Sequence, residues 1–166
     1  MSESRYNMNN DIKREFKGNL GMFSVCAKLS SYNLIAMPTS RNTKGYDIVV
    51  LDPETKGALG IQVKCTDKRD FPIFSSHWKD YEKEVEEKIL STFVFVDISD
   101  PGKANYFIVS EKEMKDILRS RIRYYAHKYQ QKYNLNWEQL LEKEETEKKR
   151  PNLWTIKLSN IEEYQD

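Results

Sequence analysis

Hydrophobic and polar positions alternate along this chain in a pattern that predicts helices and strands in turn. Over residues 11–31 the apolar positions recur at mixed helical spacings, which is typical of a helix that is apolar on more than one side. Runs rich in apolar and β-branched residues then predict strands at 33–37, 46–52 and 58–66. Asp-Pro-Glu-Thr-Lys-Gly separates the last two runs and has turn chemistry, so we predict a hairpin.

The second half of the chain continues the alternation. Residues 75–89 predict a helix, with Ser75 or Ser76 as its N-cap. The apolar run at 91–99 has the composition of a fully buried strand, and 105–110 predicts another strand. These elements predict a protein of the α/β class.

The remaining residues predict a helical extension and one more strand. Ser110 and Glu113 have the spacing of a capping box that opens a helix running into Tyr125. The charged stretch at 126–150 favours a solvated helix followed by a connector, and 153–159 predicts a last strand.

Length and composition narrow the class of protein. The chain has 166 residues, 39% of them apolar, and a net charge of +1, which fits one domain spanning residues 1–166. No apolar run reaches the roughly 20 residues that cross a membrane, so we expect no membrane partner. Only two cysteines are present, which favours a reducing cytoplasm. The sequence has no Gly-rich phosphate loop, nucleophile elbow or dinucleotide fingerprint.

Polar residues interrupt the two strands of the predicted hairpin. If the turn is centred on residues 54–55, Asp47 lies opposite Gln62, and Val50 lies opposite Leu59. Opposed residues point to the same side of a sheet, with Cβ atoms on the order of 5 Å apart. We therefore expect the acid and the amide to share one face. A shift of one residue in the register would instead send Asp47 to the other face.

Lys64 joins this pair because it follows Gln62 by two residues and side chains alternate along a strand. A carboxylate, an amide oxygen and the backbone carbonyl of Val63 are hard oxygen ligands that suit Mg²⁺. The metal can activate a water, and a lysine can stabilise charge on a phosphate. The combination of Asp47, Gln62 and Lys64 favours metal-assisted phosphodiester hydrolysis. The alternative is an ordinary solvent-facing hairpin surface.

The order helix, three strands, helix, strand, with D-x-V-V followed by I-Q-V-K, resembles the PD-(D/E)xK nuclease superfamily, in particular its Mrr-like branch. The match covers about residues 12–110. The resemblance implies a restriction-endonuclease-like mixed sheet flanked by helices, with residues 111–166 as an extension. It also implies that Asp47 and Gln62 bind Mg²⁺ or Mn²⁺, and that Lys64 is catalytic. The implied activity is DNA endonuclease, with RNA as an alternative substrate, and such enzymes often act as homodimers.

One position departs from the family pattern. The family often carries a glutamate on its first helix in a Gly-x-x-Gly-Glu context, where this chain has Met22. Glu15 lies two helical turns earlier and is the candidate replacement, although the offset along the helix is roughly 10 Å.

Basic residues near these motifs are candidates for contacts with phosphates. They lie in the loop before Asp47, after the lysine strand and in the helix after 110: Arg41, Lys44, Lys68, Arg69, Arg121 and Arg123. The alternative for the loops is a solvated connector, and for the helix an amphipathic surface whose tyrosines pack on the domain.

Three functions therefore stay open. The first is a metal-dependent DNA endonuclease. The second is a catalytically degraded nuclease fold that binds DNA through its basic residues. The third is a protein-interaction domain of the same fold, for which DNA binding should be absent even at low salt, where electrostatic binding is strongest.

Overall fold

The computed structural model describes residues 14–40, 45–68, 70–72, 80–100, 102–136, 138–140, 142 and 155–157. The elements in chain order are α1 (Arg14–Ser30), β1 (Ile35–Pro38), β2 (Ile48–Leu51), β3 (Ala58–Thr66), β4 (Asp70–Pro72), α2 (Tyr81–Lys88), β5 (Thr92–Asp100), β6 (Lys103–Val109), α3 (Glu111–Tyr133) and β7 (Thr155–Lys157).

A five-stranded mixed sheet with helices on both faces confirms the predicted α/β class. Its strand order is β1-β2-β3-β5-β6, and β4 pairs with β7 in a separate two-stranded sheet. The β3–β5 pair is parallel, whereas the other neighbours are antiparallel. No helix within the described ranges combines the length and apolar character needed to cross a membrane.

Two apolar layers fix the helices on the sheet. On one face, here called the α1 face, Val25 of α1 packs with Ile48 and Ile61. On the other, the α3 face, Phe93 and Phe95 of β5 pack with residues from α2 and α3. Strand β1 forms an edge of this sheet. On its α3 face, the Ile35 side chain is 48% exposed and the Met37 side chain is 43% exposed. The described helices therefore cover the β5 side of this face more fully than the β1 side.

The predicted hairpin register is confirmed. Val50 pairs with Leu59 and Ile48 with Ile61, as a turn centred on residues 54–55 requires. The bounds of β3 agree with the predicted strand, whereas β2 begins only at Ile48. Asp47 therefore lies immediately before the strand.

Several other element bounds differ from the prediction. Helix α2 has Asp80 as its N-cap, whose Oδ1 accepts a hydrogen bond from the Lys83 N–H at 3.2 Å, so a cap at Ser75 or Ser76 is wrong. Those two serines lie outside the described residues. The capping box at Ser110 is confirmed, but α3 runs to Tyr133 and ends at Asn134, a left-handed cap. The short strand β4 was not expected.

Helix α1 is apolar on two sides, as its spacing predicts. Val25 is buried against the sheet, whereas Phe16, Leu20 and Phe23 are 61%, 46% and 58% exposed. These three share the opposite side of the helix because they are spaced by four and three residues.

The crossing of α1 over β3 is unusually close at Gly21. A Cβ added to Gly21 would lie 2.5 Å from the Cβ of Cys65, whereas a Cβ added to Gly18 would meet nothing within 4 Å. Lys17 also donates to Asp67 just after β3, and the Nζ–Oδ2 distance is 2.6 Å. These contacts hold the first half of α1 directly on the strand that carries Gln62 and Lys64.

Candidate active site

Gln62 and Lys64 project from the α3 face of the sheet. Ile61 belongs to the apolar layer on the α1 face, and side chains alternate along β3, so its neighbours at 62 and 64 point the other way. Their parallel partners are Phe93 and Phe95, which lie in the α3-face core. Both polar side chains are half-buried. The structure therefore places them together, as predicted.

Asp47 reaches the same strand from its edge. Its N–H donates to the Ile61 carbonyl at 2.7 Å, and its Oδ2 accepts a hydrogen bond from the Val63 N–H at 2.7 Å. The Asp47 carboxylate therefore contacts the β3 backbone between Gln62 and Lys64. The strand was predicted to begin at residue 46, whereas β2 begins at Ile48, so Asp47 lies just before the strand and its carboxylate contacts the β3 backbone.

The carbonyl of Val63 is directed toward Asp47. In a strand, the N–H and C=O of one residue point to the same side. The Val63 N–H donates to the Asp47 carboxylate, so the Val63 carbonyl also points toward the β2 side of β3. It lies beyond the end of β2 that begins at Ile48. The predicted backbone ligand and the predicted carboxylate ligand are thus brought to one side of β3.

The donor set fits a hard cation that retains water. A carboxylate, an amide oxygen and a backbone carbonyl are the ligand types that Mg²⁺ takes, often with one or two carboxylates and several waters. Among the residues that the structure describes, no three His, Cys, Asp or Glu side chains gather in a metal-binding group. Asp47 contacts the Gln-Val-Lys segment by accepting the Val63 N–H.

Met22 lies on the other side of the sheet. Its half-buried side chain packs on the α1-face core, which contains Val25 and Ile61. A glutamate at this position would enter an apolar layer opposite Gln62 and Lys64, where burying a charge is costly. The departure at Met22 thus fits the local packing. The side chain of Glu15 lies outside the described residues.

A buried acid near Lys64 was missed by the sequence analysis. Asp97 on β5 is 3% exposed, and its Oδ1 accepts the Ser99 N–H at 2.9 Å. It lies on the α3 face, opposite Thr66 and two residues beyond Phe95, the partner of Lys64. Such diagonal positions are within reach of a long side chain. In the sequence, Asp97 stands out as an acidic residue inside the otherwise apolar run at 91–99.

The cysteines do not supply a nucleophile. Burial raises the pKa of the Cys65 thiol to about 11, and burial also raises the pKa of Cys26. A thiol rather than a thiolate is thus present at Cys65 near neutral pH, and thiols are weak nucleophiles.

The basic side chains predicted to contact nucleic acid have different surroundings. Arg123 donates to Glu82 of α2 at 3.0 Å, and Arg121 is half-buried. Lys68 is exposed just after β3, and its N–H donates to Thr66 Oγ1 at 3.2 Å. Arg41, Lys44 and Arg69 lie outside the described residues.

Ion pairs between α2 and α3 offset much of the charge of the basic helix. Glu82 contacts Arg119 at 2.9 Å and Arg123 at 3.0 Å, and Glu86 contacts Arg119 and, at 2.9 Å, Lys115. The Arg123 guanidinium, followed by Arg119, holds the pKa of Glu82 below its ordinary value of 4.5. Lys115, followed by Arg119, does the same for the pKa of Glu86.

These pKa shifts predict a pH-dependent contribution to stability. A carboxyl whose folded pKa is lowered stabilises the fold fully above its unfolded pKa, near 4.5, and loses that contribution as the pH falls through the folded pKa. We expect Glu82→Gln to lower the free energy of unfolding at pH 7 by less than about 1 kcal/mol, because the pair is exposed. The difference from the parent protein should shrink at pH 3.5, measured by urea unfolding.

Glu87→Gln is the matched control for this experiment. Glu87 lies on the same helix, and among the described residues its one ion pair is an exposed contact with Lys83 at 3.7 Å. We expect little change at either pH. A Glu82→Gln effect of equal size at pH 7 and pH 3.5 would contradict the electrostatic origin.

No protein-family model, curated protein or solved structure matches this chain. We therefore assign chemistry from the geometry of the site itself.

Proposed function

We propose that this protein is a metal-dependent nuclease that hydrolyses phosphodiester bonds of DNA with Mg²⁺ or Mn²⁺. The observation that carries the proposal is the 2.7 Å hydrogen bond from the Val63 N–H to the Asp47 carboxylate. It joins the acid to the middle residue of the Gln-Val-Lys segment, so residues 15 or more positions apart in sequence form one constellation. The resemblance to PD-(D/E)xK nucleases supports the same assignment. The two free cysteines suit a reducing compartment such as the cytoplasm.

The residues of the candidate active site would have two roles, cation binding and charge stabilisation. Asp47, Gln62 and the Val63 carbonyl would hold the cation. When bound, the cation lowers the pKa of a water and neutralises charge on the phosphate. Lys64, on the face beside Gln62, would orient the water or stabilise negative charge on the phosphoryl oxygens. Asp47 also fixes the Val63 backbone, so it positions the peptide between the other two residues.

A second function is a DNA-binding module of the same fold that does not cleave. The supporting observation is that Met22, which packs on the apolar layer of the α1 face, occupies the position of the family's second acid. Loss of one carboxylate weakens divalent binding, because ligand charge contributes to affinity.

Nicking of supercoiled plasmid and cleavage of a single-stranded oligonucleotide test the proposal, with Mn²⁺, Mg²⁺ or EDTA. We expect cleavage only with a metal. Asp47→Asn is the informative variant, because its amide oxygen can still accept the Val63 N–H while the negative ligand is lost. Cleavage should fall by at least about 100-fold, and the urea midpoint should stay close to that of the parent protein.

The other outcomes separate the alternatives. DNA binding at 50 mM salt without cleavage in any metal would favour the binding module. Neither binding nor cleavage would overturn both and favour a protein-interaction domain. Cleavage that is equal in EDTA and Mg²⁺ would contradict the metal-dependent mechanism.

A further inference from the structure

Tyr46 places an aromatic ring on the sheet face from which Gln62 and Lys64 project. A Cβ added at Gly60 would lie 3.1 Å from Cγ and Cδ1 of the Tyr46 ring. Gly60 and Gln62 point to the same face because they are two residues apart on β3. Their Cα atoms are separated by about 6.6 Å at the usual rise of a strand. The ring therefore lies against the strand, one side-chain position from Gln62.

Hydrogen bonds on both sides hold the backbone that carries this ring. Thr39 Oγ1 donates to the Tyr46 carbonyl at 3.0 Å, and the Thr39 N–H donates to the Asp47 carbonyl at 2.9 Å. Ser91 Oγ donates to the Gly45 carbonyl at 2.6 Å, and Gly45 has a φ of 93°, which favours glycine. Tyr46 is thus positioned before any ligand binds.

The ring is accessible and has an apolar neighbour. Tyr46 is 36% exposed. Across the sheet, Gly60 pairs with Val49 and Val49 with Met37, so these positions form one row on the α3 face. Met37 is 43% exposed. An exposed aromatic and apolar surface, formed by Tyr46 and Met37, therefore adjoins the polar groups of the candidate active site.

We propose that Tyr46 stacks against an unpaired nucleobase next to the phosphate at the active site. This inference rests on the proposed nuclease function, which it deepens by naming the substrate class: single-stranded or locally unpaired nucleic acid. A ligand for this surface must combine an anionic group with a flat ring, and a nucleotide does so. Bases within a duplex are stacked on both faces, so a protein ring reaches a base face only after unstacking. Base–aromatic stacking also tolerates any base.

Binding in EDTA tests the inference without any cleavage step. The probe is a single-stranded oligonucleotide that contains 2-aminopurine, whose fluorescence falls when it stacks. We expect the parent protein to quench the probe and to bind it more tightly than the same sequence in a duplex. Tyr46→Leu should weaken binding by about 5- to 100-fold and abolish the quenching, whereas Tyr46→Phe and Tyr46→Trp should retain both.

Two further variants make the test specific to this ring. Tyr32→Leu is the matched control, because Tyr32 is 64% exposed beyond the end of α1 with Lys28 over its ring. It should leave binding unchanged. Gly60→Ala keeps the tyrosine but requires its ring to shift, since the new Cβ would be 3.1 Å away. We expect weaker quenching from this variant.

The outcomes distinguish this inference from the nuclease proposal. Equal binding and quenching by Tyr46→Leu and the parent protein would overturn the stacking role, even if metal-dependent cleavage is present. Tyr46-dependent quenching without cleavage in any metal would overturn the nuclease and keep the stacking site. Preference for duplex over single strand would also overturn the inference.

Discussion

Replacing Lys64 with alanine should reduce metal-dependent DNA cleavage by about 100- to 10,000-fold. This range is the usual contribution of a positioned group that transfers a proton or stabilises developing charge. Lys64 is half-buried on the α3 face beside Gln62, and charges interact more strongly where water is partly excluded. Rates of plasmid nicking in Mn²⁺ and Mg²⁺, at saturating protein, measure the loss.

Lys112→Ala is the matched control for this variant. Lys112 is an exposed residue in the first turn of α3, so its removal deletes the same charge at a distance from β3. We expect near-normal cleavage from the control and similar circular dichroism spectra from both variants. If Lys64→Ala cleaves at the parent rate, the cleaving site lies elsewhere.

Gly21→Ala should produce the largest loss of stability in α1, about 1–3 kcal/mol in the free energy of unfolding. The added methyl group would lie 2.5 Å from the Cβ of Cys65, an atom fixed to the β3 backbone. Helix and strand must therefore separate, and the apolar layer around Val25 and Ile61 must loosen with them. Urea unfolding followed by circular dichroism measures the change.

The same substitution one helical turn earlier supplies the comparison. A methyl group at Gly18 would meet nothing within 4 Å. Because alanine favours a helix over glycine by up to about 1 kcal/mol, Gly18→Ala should be neutral or stabilising. If Gly21→Ala and Gly18→Ala change the free energy of unfolding by the same amount, the close approach of Gly21 to Cys65 does not limit the size of the side chain at this position.

Local patterns predicted the hairpin well because its determinants are local. Turn residues fixed the register, and the apolar alternation fixed the bounds of β3, so Val50 and Leu59 pair as expected. The capping box at Ser110 was also readable, because it depends on residues three positions apart. The end of α3 was harder to predict from the sequence, because a helix continues as far as its tertiary packing allows.

The parts of the site that escaped prediction depend on tertiary contacts. The bond between Asp47 and the Val63 N–H arises where β2 starts later than its apolar run. The contact of the Tyr46 side chain with Gly60 joins residues 14 positions apart in the sequence. Likewise, the basic residues of α3 looked available in the sequence, but Arg123 pairs with Glu82, a residue of another helix.

The parallel pairing of β3 with β5 affects when the candidate active site can form during folding. One neighbour of β3 is adjacent in sequence, but the other is distant: Ile61 pairs with Thr92, and Lys64 pairs with Phe95. The chain must close a loop containing α2 before β3 gains its second neighbour, and such closure carries an entropic cost. An early hairpin would hold Gln62 and Lys64 on a strand without its final support. The candidate active site therefore has both neighbours of β3 in place only once the sheet is complete from β2 to β5.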